Sequence, residues 1–155
     1  MGENLNRFLQ AHQVYYKTAL AEINRGRKES HWMWFIFPQI KGLGHSKMAR
    51  FYAVKSLAEA KEYLQNSILK ANMLEISSAL LKVTSNDAEK VLGWPDNLKL
   101  QSSMTLFAEA DPDCEIFQRV LDKFFKGEKD LETLRLLEEE YTGSSLESTG
   151  RERNQ

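Results

Sequence analysis

Apolar residues recur at three- and four-residue steps along most of the chain. Phe8, His12, Tyr15, Tyr16, Ala19, Leu20 and Ile23 fall on one face of a helix over about residues 5–25, which Gly26 stops. The run from Trp32 to Phe37 suits a buried strand or a buried helix by length alone. No partner strand is visible elsewhere, Ser30 stands where an N-cap would, and Pro38 follows, so the run is predicted to be helical. Apolar all round, it is expected to lie at the centre of the core.

The same signals repeat downstream. Ser46 precedes "KMARFYAV", and Ser56 with Glu59 forms a capping box before "LAEAKEYL". Ser67 opens "ILKANMLEISSALLKV", with its stripe of Leu69, Met73, Ile76, Leu80 and Val83, and Asp87 caps a turn or two ending at Gly93. Trp94-Pro95-Asp96 starts a helix with Leu100, Met104 and Phe107 on one face. Pro112, suited to a first helical position, opens a helix carrying Ile116, Phe117, Val120, Leu121 and Phe124 up to Gly127. Asp130 caps a last helix with Leu131, Leu134 and Leu137. The prediction is an all-α single domain over residues 1–141, built of about eight short helices in irregularly stacked pairs. Residues 142–155, nearly without apolar side chains, are expected to be a disordered tail.

Composition fits this picture: 155 residues, 42% hydrophobic and 28% charged, describe an ordinary globular chain. Cys114 is the sole cysteine, which excludes an intrachain disulfide and a site built on several thiolates. No run reaches the ~18 apolar residues of a spanning helix and the start lacks a leader pattern, so a cytoplasmic protein without a membrane span is expected. The net charge of -1 conceals an asymmetry: residues 1–55 hold nine basic and three acidic residues, +6, and the remainder -7. A pI near 6.3 argues against a nucleic-acid partner.

Phosphate-binding loops, nucleophile elbows, dinucleotide fingerprints and zinc-ligand pairs are absent, and His12, His31 and His45 lack matching carboxylates for a metal. Candidate chemistry is therefore sparse. His31 and Gln39 bracket the aromatic block around Trp34 as they would in a pocket that stacks a ring and hydrogen-bonds its edge; the alternative is plain core packing. Gly42, Gly44 and Ser46 lead into a helix start where Lys47 and Arg50 oppose the helix dipole, an arrangement that an anion would reverse and that solvation would also relieve. Lys99, Ser102 and Ser103 share a helix face, and a Ser-Lys pair can act as nucleophile and base, although such Ser residues more commonly bond their own backbone.

"HWMWFIFPQIKGLGHSKMARFYA" and "LGWPDNLKLQSSMTLF" together resemble the signature of a family of small, mainly bacterial proteins, the domain-of-unknown-function family 1810, some of whose members carry a calpastatin-like label. The resemblance runs from about residue 5 to 137. It implies an all-helical fold and no defined activity or cofactor, and its motif positions fall on His31, Trp32, Trp34, Pro38, Gln39, Gly42, Gly44, Ser46, Lys99, Ser102 and Ser103. Three functional readings follow. The first is a domain binding a small anionic, nucleotide-like ligand between the His31–Lys47 stretch and the Lys99–Ser103 helix. The second is an enzyme acting on a phosphorylated metabolite, with His31 as acid or base and Lys47 or Arg50 stabilising charge. The third is a structural or protein-interaction module, which an exposed apolar groove would favour.

Overall fold

The computed structural model describes residues 2–145. It is all-helical, with nine helices among the described residues: α1 (Gly2–Asn24), α2 (Met33–Ile36), α3 (Lys47–Phe51), α4 (Leu57–Gln65), α5 (Ser67–Lys82), α6 (Ala88–Leu92), α7 (Asp96–Ala110), α8 (Ile116–Phe125) and α9 (Leu131–Ser145). The helix α9 thus continues past Tyr141, and the remainder of the expected tail, 146–155, lies outside the described residues. No helix among the described residues is long and apolar enough to cross a membrane.

The centre is α7, whose residues Ser102 to Ala108 are buried without a break, as a helix surrounded by neighbours must be. Around it pack α4, α6, α8 and α9, while α5 joins α1 to α4 and α8. The core runs through Phe8, Ile23, Trp32, Phe37, Tyr63, Leu69, Met73, Phe107 and Phe117. Several ends are fixed by the expected caps: the Ser46 hydroxyl accepts from the Ala49 amide, Ser56 from Glu59, and Asp87 from Glu89 and Lys90. For α5 the cap is Asn66, with Ser67 the first helical residue. At the other end of α5, the Lys123 ammonium donates to the carbonyls of Leu80 and Leu81, each at 3.0 Å, and of Val83, occupying acceptors that a helix end leaves open.

The aromatic run departs from its expected form. Only Met33–Ile36 is helical, a single turn without a side-chain cap, and α7 rather than this segment is the central helix. Ser30 does not cap it, because its hydroxyl donates to the Glu22 carboxylate. Within the run Trp32 is fully buried, whereas Trp34 is half-buried at the core margin. Pro112 lies in the turn before α8, not in its first turn.

Residues 40–54 form an excursion pinned at its base by a parallel bridge between Ile40 and Val54, where the Lys41 amide donates to Val54 and the Val54 amide to Gln39, both at 2.8 Å. This loop carries α3. The Arg7 guanidinium fastens it to α1, donating to the Phe51 carbonyl at 2.9 Å and the Ala53 carbonyl at 2.8 Å while pairing with Glu59 at 3.0 Å.

Candidate functional site

The α1–α2 connection is organised by a residue that periodicity did not single out. Glu22 is 2% exposed, and its carboxylate accepts from the amides of Glu29 (2.7 Å) and Ser30 (2.9 Å), the Ser30 hydroxyl and the Trp32 indole (2.8 Å). Burial alone would raise its pKa. The Ser30 hydroxyl, the two amides and the indole outweigh burial and hold it at about 2, so the group is a fixed anion. A sequence signal existed: Glu22 follows Ala19 by three residues and precedes Ile23, which places a charge on the buried face of α1.

Trp32, oriented by Glu22, begins a chain of alternating rings and cations. The Lys28 ammonium lies 5.2 Å from its ring centre and 3.0 Å from Asp96. Asp96 also receives Lys99 at 3.2 Å, and the Lys99 ammonium stands 5.8 Å from the centre of the Trp34 ring. Two lysines therefore share one carboxylate beside a partly buried indole, which leaves one positive charge uncompensated within the triad. One turn along α7 from Lys99, on the same face, the Ser103 hydroxyl is fully buried and has no hydrogen-bond partner.

The predicted site residues separate into groups. Trp34 and Lys99 belong to this cluster, Ser103 is buried in the core one turn beyond Lys99, and His31, the residue before Trp32, is exposed. Ser102 is occupied otherwise: its hydroxyl lies 3.2 Å from the Leu98 carbonyl and 3.2 Å from Asp130, helping to anchor the turn before α9. Gln39 contributes its carbonyl to the bridge with Val54. Gly42, Gly44, Ser46, Lys47 and Arg50 lie on the excursion, and the hydrogen bonds that hold α3 come from Arg7 on α1. Both glycines have steric reasons. Gly42 has φ 110° with Leu136 against it, and a Cβ on Gly44 would come within 2.4 Å of the Ala49 Cβ. With five residues α3 develops little macrodipole, so Lys47 and Arg50 act through their own charge.

A second polar cluster is structural. The His12 imidazole is buried between α1, α2 and α5, with Nε2 3.0 Å from the Phe35 carbonyl and Nδ1 3.0 Å from the Asn72 amide nitrogen. A carbonyl only accepts, so Nε2 carries the proton and Nδ1 accepts from Asn72. Burial lowers the His12 pKa to about 4, against the opposing pull of Phe35, and the ring is neutral at pH 7. Among the described residues no group of three or more His, Cys, Asp or Glu side chains is placed to hold a metal. A cleft of about 390 Å³ between α7 and α8 is lined by Cys114, Arg119, Asp122 and Lys129 among others, but it mixes both charges, and Lys129 is paired with Glu109 at 2.7 Å.

The all-helical fold, with the Trp34 and Lys99 margin on it, is what the comparisons can be set against. The family described as "Protein of unknown function (DUF1810)" matches residues 2–137, and the chain belongs to it. The crystal structure of the conserved hypothetical protein Rv1873 from Mycobacterium tuberculosis is similar at 42% identity, covering 86% of this chain and 96% of that one, with a TM-score of 0.84. No match was found among curated proteins.

Proposed function

We propose that this protein is a binding domain for a small anionic ligand carrying a flat ring, of nucleotide-like chemistry, held at the margin formed by Trp34 and Lys99. The supporting observation is the triad in which Lys28 and Lys99 share Asp96 next to the partly buried Trp34 indole at the core margin. An anion there completes the charge balance, and a ring gains a face to stack on.

Calorimetric titration with adenosine monophosphate, adenosine and inorganic phosphate tests the reading. The monophosphate is expected to bind more tightly than either part. Trp34→Ala is expected to weaken the monophosphate and adenosine while sparing phosphate, and Lys99→Gln to weaken the monophosphate and phosphate while sparing adenosine. Equal affinity of wild type and the Trp34→Ala, Lys99→Gln double variant for the monophosphate would overturn the proposal.

A further inference from the structure

We infer that the exposed face shared by α1 and α3 is a second binding surface, separate from Trp34 and Lys99, and that its partner is single-stranded nucleic acid. Charge is the first argument. From Ser30 to Ala58 the chain contains no Asp or Glu, yet it carries Lys41, Lys47, Arg50 and Lys55. All four are exposed, and none has a carboxylate within ion-pair distance among the described residues. Lys47 and Arg50 stand on α3 itself, with Lys41 and Lys55 beside the bridge that closes the excursion. Glu59, which approaches from α4, is neutralised by Arg7, and Glu140 of α9 accepts from the Leu57 amide at 3.2 Å near Lys55, so the positive patch centres on Lys41, Lys47 and Arg50. A near-neutral pI averages this stretch with an acidic remainder and hides the local potential.

Exposed rings accompany these cations. Phe51 is 58% exposed and Tyr15 45%, large values for rings, and Met48 is 40% exposed beside Phe51 on α3. They form the two ends of one continuous row: Tyr15 lies 5.2 Å from Phe35, Phe35 5.1 Å from Tyr52, and Tyr52 4.8 Å from Phe51, centre to centre. The inner rings hold the outer ones from beneath. Arg7 locks the backbone at Phe51, so the exposed ring is presented by a fixed support. Rigid exposed rings interleaved with unpaired cations are what a single strand requires: bases stack on the rings whatever their sequence, and phosphates meet the cations.

Other anionic partners fit less well. An amphipathic membrane anchor lays a stripe of several turns into the interface, whereas α3 has five residues and Tyr15 ends in a hydroxyl. Acidic peptides are held by grooves or sheet edges that grip a backbone, and exposed rings on a short helix suit planar bases instead.

Fluorescence anisotropy of labelled oligothymidylate and oligouridylate with the full chain tests the inference. Wild type is expected to bind at low salt. Phe51→Ala should raise Kd about tenfold, and Phe51→Leu, which keeps apolar bulk and the helix while removing the ring, should act in the same direction. Lys47→Ala with Arg50→Ala should also raise Kd at least about tenfold and flatten the salt dependence by about 1.4 in log-log slope, near 0.7 per lost phosphate contact. Lys82→Gln with Lys126→Gln, which removes two exposed cations on α5 and just after α8, away from both surfaces, should leave oligonucleotide binding unchanged, and this separates the α1–α3 face from the general charge of the chain. The inference is overturned by absence of binding at about 50 mM salt, or by a loss confined to the cation variant with both Phe51 variants unaffected. It is equally overturned if polyglutamate or anionic vesicles bind as tightly as the oligonucleotides.

Discussion

Replacing Glu22 by Ala tests how the α1–α2 connection is held. The substitution removes one acceptor that serves four donors, among them the indole of fully buried Trp32. That indole has no route to water, and a buried donor left without a partner costs about 1–3 kcal/mol. The two amides and the Ser30 hydroxyl are less deeply placed and recover part of their hydrogen bonding from solvent, bringing the total to about 3–5 kcal/mol. The depressed carboxyl expresses the same hydrogen bonds as a pH dependence. A carboxyl held at about 2 in the folded chain against 4.5 when unperturbed corresponds to about 3 kcal/mol. Because the folded pKa is depressed, this stability is fully present above about pH 4.5 and is lost as pH falls toward 2. Urea denaturation at pH 7 should therefore show Glu22→Ala less stable by about 3 kcal/mol or more, and by pH 3 the gap between the two proteins should shrink by about half. A difference under about 1 kcal/mol at pH 7, or one that stays constant down to pH 3, would refute this account of the connection.

Four further outcomes follow from the packing. His12 is depressed from 6.5 to about 4, so it contributes stability present above pH 6.5 and lost as pH falls to 4; His12→Gln should flatten the stability profile across that window in chemical denaturation. Trp32→Ala should cost about 3–5 kcal/mol, whereas half-buried Trp34→Ala should cost about 1 kcal/mol, and equal losses in urea titrations would contradict the assignment of core and margin. Gly44→Ala should destabilise by about 1–3 kcal/mol through the 2.4 Å approach to Ala49, and adding Ala49→Gly should restore part of the lost melting temperature. Lys123→Met strands the carbonyls of Leu80, Leu81 and Val83 and should cost about 1–3 kcal/mol, with faster amide exchange in the last turn of α5.

The long helices were legible because each carries an apolar stripe with the helical period, and Ser46, Ser56 and Asp87 marked starts whose cap bonds the structure contains. The stretch from Ser30 to Phe37 was not, because the fate of an unbroken apolar run depends on what meets it. Ser30 reads as a cap until Glu22, eight residues earlier, draws its hydroxyl away. Likewise Trp32 and Trp34 are equivalent by composition, and only Glu22 on one side and Lys99 on the other make one core and one margin. The capping box at Ser56 is half realised: Ser56 accepts from the Glu59 amide, but the Glu59 carboxylate turns to the Lys55 amide and Arg7. Of the candidate site, residue types were readable and partnership was not. Lys99 and Trp34 are sixty-five positions apart, and no periodicity links them. Asp96, which joins Lys28 to Lys99, was visible only as the start of a helix.

The most direct measurement of the binding-domain reading is a crystal structure of the protein grown with adenosine monophosphate. The base is expected against the Trp34 indole and the phosphate within hydrogen-bonding reach of Lys99, with the Lys28–Asp96 pair retained. A fully occupied ligand located anywhere else on the chain, or a Trp34 and Lys99 margin free of ligand at saturating concentration, would contradict it.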